Sequence, residues 1–278
     1  MTAKRIAAVL AVLSAISILV SCSSGPSAPE KGTPAFYWQS AREVYAAGDY
    51  RKTLEHLDNL LATENEYTAR ALPWELVLKS GIADGYMDAA ENYAIGARNN
   101  KVDPSVFRRQ VSDYRNAANT LALQFAEDFG KLEKLKGDTI TLEFAYPRGT
   151  AAPVPQFTRV STGIALTPAE TQSAQDRSLE RGVLLAACRA AGASNDTART
   201  EQLLKSRVAS VPRTVFMEGM AETLFHFSQL YATDKLDEPL KMGALIQRAQ
   251  GALAGVPESK ETKALNAKMQ AALKKAKK

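Results

Sequence analysis

The order of apolar and polar residues divides the chain into three kinds of sequence. Residues 6–20 are all Ala, Val, Leu, Ile or Ser, whereas residues 23–34 are rich in Ser, Gly and Pro and show no apolar period. From Phe36 onward apolar residues recur every three or four positions, which is the spacing of an amphipathic helix. The pattern therefore predicts a mainly α body that follows an apolar leader and a flexible tether.

The first half of the body, residues 35–136, is predicted to contain helical hairpins and one long helix. Residues 41–62 hold two amphipathic runs on either side of Gly48-Asp49, a pair of residues typical of a turn. Residues 67–79 form a further helical run, the first helix of a second hairpin. Pro73 lies inside this run, and we expect it to bend or restart the helix because proline lacks the backbone N–H.

A long helix is predicted to begin at Asp103 and Pro104, an N-cap residue followed by proline at the first helical position. Its apolar residues, spaced three and four apart, are Phe107, Val111, Tyr114, Ala118, Leu121, Phe125, Phe129 and Leu132. We expect this stripe to pack on the preceding helices. A coiled-coil dimer is the alternative, although the pattern holds for only a few heptads.

Between the two helical halves the apolar period changes to two. Ile140, Leu142 and Phe144 alternate with more polar or small residues, and residues 160–166 alternate again after a stretch interrupted by prolines. Two such runs predict a small β-hairpin inserted over residues 137–166. Because a lone hairpin is marginally stable in water, we expect it to pack against the helices or against a partner protein.

Helical spacing resumes at Thr167, which together with Pro168 and Glu170 gives the sequence of a capping box. Residues 167–257 are predicted to form C-terminal helical hairpins. The predicted helices cover residues 167–192, 195–212, 216–231 and 239–257.

The last segment, residues 258–278, is amphipathic and carries seven lysines and two glutamates. We expect it to cap the open end of the helix stack, because repeat arrays need a terminal element with a polar outer face. The alternative is contact with anionic lipid or cell-wall polymer. The lysines available for such contact are Lys274, Lys275, Lys277 and Lys278.

The apolar leader ends in Leu19-Val20-Ser21-Cys22, and two basic residues, Lys4 and Arg5, precede it. This ending resembles the lipobox of bacterial lipoproteins. The resemblance implies that residues 1–21 are a signal peptide and that Cys22 carries the lipid anchor; an ordinary secretory signal with a chance cysteine is the alternative.

The length of the leader agrees with a signal peptide. Fifteen helical residues reach about 22 Å, whereas the hydrocarbon core of a bilayer is about 30 Å thick. The resemblance to lipoproteins also suggests in which membrane the protein resides. Ser23 rather than aspartate follows the cysteine, which implies the outer membrane, facing the periplasm, in a host that has one. Residues 22–34 would then form the tether between lipid and body.

Two stretches of the first half share a pattern of small and aromatic residues. Gly48, Tyr50 and Leu57 mark the first stretch, while Tyr86, Ala89 and Tyr93 mark the second, 36 residues further on. The pattern resembles the second helix of a tetratricopeptide repeat (TPR), whose period is about 34 residues. The resemblance implies that these six positions pack neighbouring helices together within a TPR-like array.

The sequence offers little conventional chemistry. The only histidines are His56 and His226, and we interpret both as packing or surface residues; Cys188 is interpreted as a small buried apolar residue. The formal net charge is +5, and much of that excess lies in the last segment, so we expect no nucleic-acid partner. No phosphate-binding loop or nucleophile elbow is present, and we expect no metal, no cofactor and no catalytic residue.

These observations predict a membrane-anchored envelope lipoprotein that acts as a non-catalytic TPR-like scaffold or adaptor for an unidentified protein partner. A small-ligand-binding lipoprotein that serves a transporter is the first alternative, and an envelope hydrolase is the second. The surface should discriminate between them. An open groove favours the adaptor, an enclosed apolar pocket favours the ligand-binding protein, and converging carboxylates favour the hydrolase.

Overall fold

The computed structural model describes residues 28–193 and 196–276, and these residues form a mainly helical protein, as predicted. The leader and Cys22 lie outside the described residues. The helices are α1 (Pro34–Ala47), α2 (Tyr50–Leu60), α3 (Thr68–Asn99), α4 (Ser105–Lys134), α5 (Pro155–Ser161), α6 (Pro168–Ala190), α7 (Thr197–Leu204), α8 (Arg213–Ser228), α9 (Pro239–Leu253) and α10 (Lys260–Ala276). The strands are β1 (Thr139–Leu142) and β2 (Ala209–Pro212).

The first two helices form the predicted hairpin, and local signals explain its turn. Gly48 adopts φ +87°, a left-handed conformation in which its N–H donates to carbonyl groups at the end of α1. The carboxylate of Asp49 then accepts from the N–H of Lys52 at 3.0 Å and caps the start of α2.

The second predicted hairpin is wrong, because its two helices are one continuous helix. α3 runs for 32 residues through Pro73, which lies within its first two turns. Residues 71–83 are buried on every side, so α3 is the central helix of the fold. Tertiary packing on all sides thus holds a helix across residues that locally favour a break.

The contact between α3 and α6 explains why glycines occur inside both helices. A Cβ atom added to Gly81 would overlap the backbone of Val183, and one added to Gly182 would overlap the carbonyl oxygen of Gly81. One turn further along α3, the hydroxyl of Ser178 donates to the carbonyl oxygen of Gly85 at 2.8 Å. The two helices therefore approach backbone to backbone, which a larger side chain would prevent.

The predicted β-hairpin over residues 137–166 is also wrong. β1 pairs antiparallel with β2, so that Leu142 lies opposite Ala209 across a large separation in sequence. Residues 155–161 form helix α5, because Pro155 stands at its first position and fixes a helical φ. The spacing of three between Phe157 and Val160 places both buried side chains in one cluster with Tyr93 of α3.

The strand β2 also changes the predicted helix over residues 195–212. α7 begins after its N-cap Asp196, close to the predicted start, but it ends at Leu204. Val208, within the predicted helix, lies beyond that end and is 56% exposed.

The apolar stripe of α4 packs inside the chain, as we expected, and this leaves no long apolar seam for a coiled coil. Phe125 packs edge to face on Phe227 of α8, with ring centroids 5.3 Å apart. Tyr114 stacks on Tyr86 of α3 at 6.0 Å. α4 thereby joins the central helix to the C-terminal half.

The structure of the C-terminal half agrees more closely with the prediction from the sequence. Thr167 and Glu170 form a capping box, in which the N–H of Thr167 donates to the Glu170 carboxylate at 2.9 Å. α8 and α9 form a hairpin, and α10 packs on it through the buried Met269, with Leu265 and Leu273 partly buried beside it. The apolar face of the lysine-rich helix is therefore turned toward the body.

Candidate functional site

A groove runs along α2, and for two thirds of its extent α3 forms its floor and α4 its far wall. Three adjoining cavities make up the groove, with volumes of about 320, 340 and 200 Å³. The first two share Arg51, and the second and third share Asp58 and Gln124. We call them the turn end, the apolar middle and the acidic end. α6 borders the turn end through Asp176 and Glu180.

The apolar middle has one or two apolar side chains from each of three helices, with polar side chains of α2 and α4 around them. Leu54 of α2, Ile82 and Tyr86 of α3, and Ala117 and Leu121 of α4 line it. Leu54 and Ile82 are nearly buried, at 7% and 2% exposure, whereas Tyr86 and Leu121 are only partly buried. This surface suits an apolar side chain from a ligand.

The acidic end is organised around the buried Lys79, whose side chain is 4% exposed. Its ammonium group donates to Glu75 Oε1 at 3.0 Å, to Asp128 Oδ2 at 2.5 Å and contacts Asp58 Oδ1 at 2.9 Å. Lys131 binds the other Asp128 oxygen at 2.7 Å. Because an ammonium group has three donors, Lys79 is fully used by these carboxylates and has none left for a ligand.

Glu75 is the member of this cluster with unused hydrogen-bonding capacity. Its side chain is 2% exposed, and among the described residues Oε2 has no hydrogen-bond partner. Burial raises the pKa of Glu75 to about 8; Lys79 opposes this shift, while the carboxylates of Asp128 and Asp58 add to it. Glu75 therefore holds its proton to a higher pH than an exposed glutamate does.

For Lys79, neighbouring charges rather than burial decide the pKa. Burial alone would lower it, but the carboxylates of Glu75 and Asp128 outweigh that effect and raise the pKa above its ordinary value. Lys79 is accordingly charged over the whole physiological range, and it holds three helices together through their carboxylates.

The groove is acidic although the whole chain has a formal net charge of +5. Eight acidic side chains line it: Asp49, Glu55, Asp58, Glu75, Glu127, Asp128, Asp176 and Glu180. Three basic side chains line it: Arg51, Lys79 and Lys131. In addition, Arg148 lies at the turn end, where its guanidinium donates to the carbonyl oxygen of Ala47 at 2.8 Å. The groove thus has a local excess of negative charge.

A second ion pair lies on the opposite side of α3, between Asp84 and Arg189 of α6. The guanidinium donates to the Asp84 carboxylate and, at 3.1 Å, to the hydroxyl of Ser80. His226 of α8 approaches the same carboxylate, with Nε2 3.4 Å from Oδ1. Both Asp84 and Arg189 are nearly buried, at 11% and 12% side-chain exposure, so this pair ties α3 to its neighbours.

The six positions of the TPR-like pattern fall into two groups. Gly48 and Tyr50 line the turn end and Tyr86 lines the apolar middle. The Tyr50 hydroxyl accepts from the N–H of Arg148 at 2.6 Å, and burial raises the pKa of Tyr50 to about 12. The other three positions, Leu57, Ala89 and Tyr93, are core residues with 0 to 3% exposure.

The remaining candidates from the sequence lie apart from the groove. His56 is half-buried, with its ring 6.3 Å from that of Tyr37, and His226 lies on the far side of α3. Cys188 is buried within α6, and burial raises the pKa of its thiol. Within residues 28–193 and 196–276, no three His, Cys, Asp or Glu side chains are grouped so as to hold a metal ion.

Glu75 and Lys79 were not predicted as site residues, and Asp128, which its sequence context suggests is a solvated surface carboxylate, is 5% exposed and binds Lys79 and Lys131. A signal for the first two was present, because Glu75 and Lys79 stand four residues apart inside an otherwise apolar run, residues 71–78 and 81–83. A helix that is apolar on every side is buried, and charged residues within it must pair with each other or with neighbouring helices.

Comparison of the chain with protein-family models, with curated proteins and with solved structures gives no match. Within the part of the chain that the structure describes, no helix has both the length and the apolar character needed to cross a bilayer.

Proposed function

We propose that the protein is a lipid-anchored adaptor of the bacterial cell envelope, facing the periplasm, that holds a segment of another protein in the groove along α2. This proposal rests mainly on the groove. The lipobox-like ending at Cys22 supports the anchor, and the Ser- and Pro-rich residues 23–34 supply a flexible tether.

The dimensions of the groove suit a peptide segment. α2 has 11 residues, so the groove beside it is about 16 Å long, which matches about three turns of helix or five extended residues. Apolar side chains in the middle and charged side chains at both ends provide a buried anchor point with a polar rim, the usual anatomy of a protein interface.

An adaptor accounts for the carboxylates better than a hydrolase does. Three of the carboxylates at the acidic end bind Lys79, and Asp128 binds Lys131 as well. A general acid and base must reach the substrate, whereas these groups hold α2, α3 and α4 in place. We assign Lys79 and its partners to positioning the groove and keep the enzyme as the less favoured alternative.

We further propose that the helices form an array like that of tetratricopeptide repeat proteins. The α1–α2 hairpin, with its turn at Gly48, and the α8–α9 hairpin are paired helices of the expected kind. Stacked helix pairs expose a concave face whose side chains are free for recognition. In this chain the long helix α3 takes the place of a second hairpin and provides the floor of that face.

Site-specific photo-crosslinking tests the groove. A photoreactive phenylalanine derivative would replace Thr120, which is exposed and lines the apolar middle. We expect irradiation of native membranes to give a discrete adduct of higher mass. The matched control carries the same group at Leu240, which is 89% exposed on α9. Equal labelling at both positions, or none at Thr120, would rule out the adaptor.

The anchor is tested separately. The substitution Cys22→Ser removes the thiol that the lipid would modify, so we expect the mature body to leave the membrane fraction or the precursor to remain unprocessed. Wild-type retention and unchanged electrophoretic mobility would refute the anchor and leave the groove unaffected.

A further inference from the structure

We propose that the segment bound in the groove presents apolar side chains to the apolar middle and a lysine or arginine to the acidic end. This inference deepens the proposed adaptor function and rests on it. The occupant is a segment of another protein, and the groove selects it by charge as well as by shape.

The first support is the charge of the groove rim. Glu55, Glu127 and Glu180 line the groove, and none of them forms an ion pair with another described residue. Glu55 and Glu127 are exposed, and they lie on opposite walls, α2 and α4. A cation that enters between these walls therefore meets carboxylates that need not give up an existing partner.

The second support is the buried carboxyl group of Glu75. It lines the acidic end, and its Oε2 atom lacks a hydrogen-bond partner within the described residues. When Glu75 is ionised, Oε2 is a buried acceptor without a partner, which is costly. A positively charged donor from a ligand would remove that cost and favour the ionised form. The ammonium of lysine and the guanidinium of arginine supply donors on a long side chain that can reach past the rim.

The third support is the arrangement of the apolar middle beside the acidic end. Leu54, Ile82 and Leu121 adjoin Asp58 and Gln124, which belong to both cavities. A segment that fits the groove therefore needs two features side by side: apolar side chains and a positive charge. An amphipathic basic segment has both, whereas an acidic or wholly apolar segment would leave the carboxylates desolvated and unpaired.

A displayed library of random 12-residue peptides tests this inference without assuming a partner. The full chain, purified in detergent, is immobilised, and bound peptides are sequenced after selection. We expect enriched sequences to combine Leu, Ile or Phe with Lys or Arg at a recurrent spacing. Enrichment of sequences without basic residues, or of acidic ones, would overturn the inference.

Matched variants locate the binding. The double substitution Glu55→Gln and Glu127→Gln should weaken the selected peptides about tenfold at low salt, because two exposed carboxylates are lost. The control is Glu43→Gln with Glu133→Gln, two exposed acidic residues on α1 and α4 that do not line the groove, and it should change the affinity less than twofold. Equal effects of both pairs would place binding elsewhere and contradict the inference.

The lysine-rich last segment of a second copy is a competing occupant. A synthetic peptide of residues 265–278 that displaces the selected peptides, together with self-association of the full chain, would assign the groove to a second copy and overturn a separate partner. Failure of this inference can be told apart from failure of the adaptor function. Crosslinking from Thr120 does not depend on the charge of the bound segment, so it would persist if only the charge preference were wrong.

Discussion

The two sides of α3 show two uses of buried charge. On the side of α6, Asp84 and Arg189 form a one-to-one pair beside glycines that bring the helices into backbone contact. On the side of α2 and α4, Lys79 gathers three carboxylates, and the helices stand far enough apart to leave a groove. The first side is closed and balanced in charge; the second is open and has an excess of acid.

This difference separates residues that hold the fold from residues that remain available. The Asp84–Arg189 pair is nearly buried and does not line the groove, although Asp84 Oδ1 and Arg189 Nε have no hydrogen-bond partner among the described residues. A cluster with surplus carboxylates beside a cavity combines both roles, because Lys79 fixes three helices while neighbouring acids face solvent. Substitutions of single residues separate the two roles.

Replacement of Lys79 by methionine should have the largest effect. It keeps the apolar stem but leaves buried carboxylates without their cation, and breaking a buried ion pair costs about 3–5 kcal/mol. We expect a loss of this size in the free energy of unfolding, measured by chemical denaturation. Lys131→Met is the matched control: its side chain is 50% exposed, so the loss should stay below about 1 kcal/mol. Similar losses in both variants would mean that Lys79 does not hold the cluster together.

Replacement of Gly81 by alanine tests the closed side. The added methyl group would overlap the backbone of Val183, which cannot move as a side chain can, so we expect a loss of about 3 kcal/mol. Gly243→Ala in α9 is the control, because no atom lies within 4 Å of the added Cβ there. Its helix propensity should make that variant more stable by about 0.5–1 kcal/mol. A Gly81→Ala variant as stable as the wild type would contradict the close approach of α3 and α6.

The contrast between the two sides also shows what the sequence could predict. The α1–α2 turn follows from Gly48 and Asp49 alone, since a left-handed glycine and an N-cap are local signals. The pairing of β1 with β2 depends on residues far apart in sequence, and nothing local distinguishes it from a hairpin. The continuity of α3 likewise depends on its neighbours, because Pro73 predicts a bend or a restart and only packing on all sides holds the helix through it.

The same limit applies to the groove. Tyr86 was predicted to pack helices and lies in the groove wall, but no pattern in α2 or α4 alone shows that their carboxylates converge on Lys79. Their convergence is a property of three helices at once. The part that the sequence could reveal is the presence of Glu75 and Lys79 in a buried helix, which requires partners of opposite charge.

Replacement of Glu75 by glutamine should change how stability depends on pH. The folded-state pKa of Glu75 is about 8, above its ordinary value of 4.5, so its contribution is fully present below about pH 4.5 and is lost as the pH rises to about 8. Relative to the Gln variant, the wild type should lose stability progressively as the pH rises across this window. Denaturation curves recorded between pH 5 and 8.5 measure the difference, and parallel pH profiles would show that Glu75 is ionised in the folded protein.

The smallest effect is expected at Glu127, which adjoins Asp128 in sequence but faces solvent. Glu127→Gln should change the free energy of unfolding by less than about 0.5 kcal/mol, because the carboxylate is exposed and pairs with no described cation. Asp128→Asn should cost about 1–3 kcal/mol, because that residue is 5% exposed and binds both Lys79 and Lys131. Chemical denaturation of the two variants compares neighbouring carboxylates, of which one faces solvent and the other is buried. If Glu127→Gln were equally destabilising, that carboxylate would belong to the folded framework and would not be free to meet a basic partner.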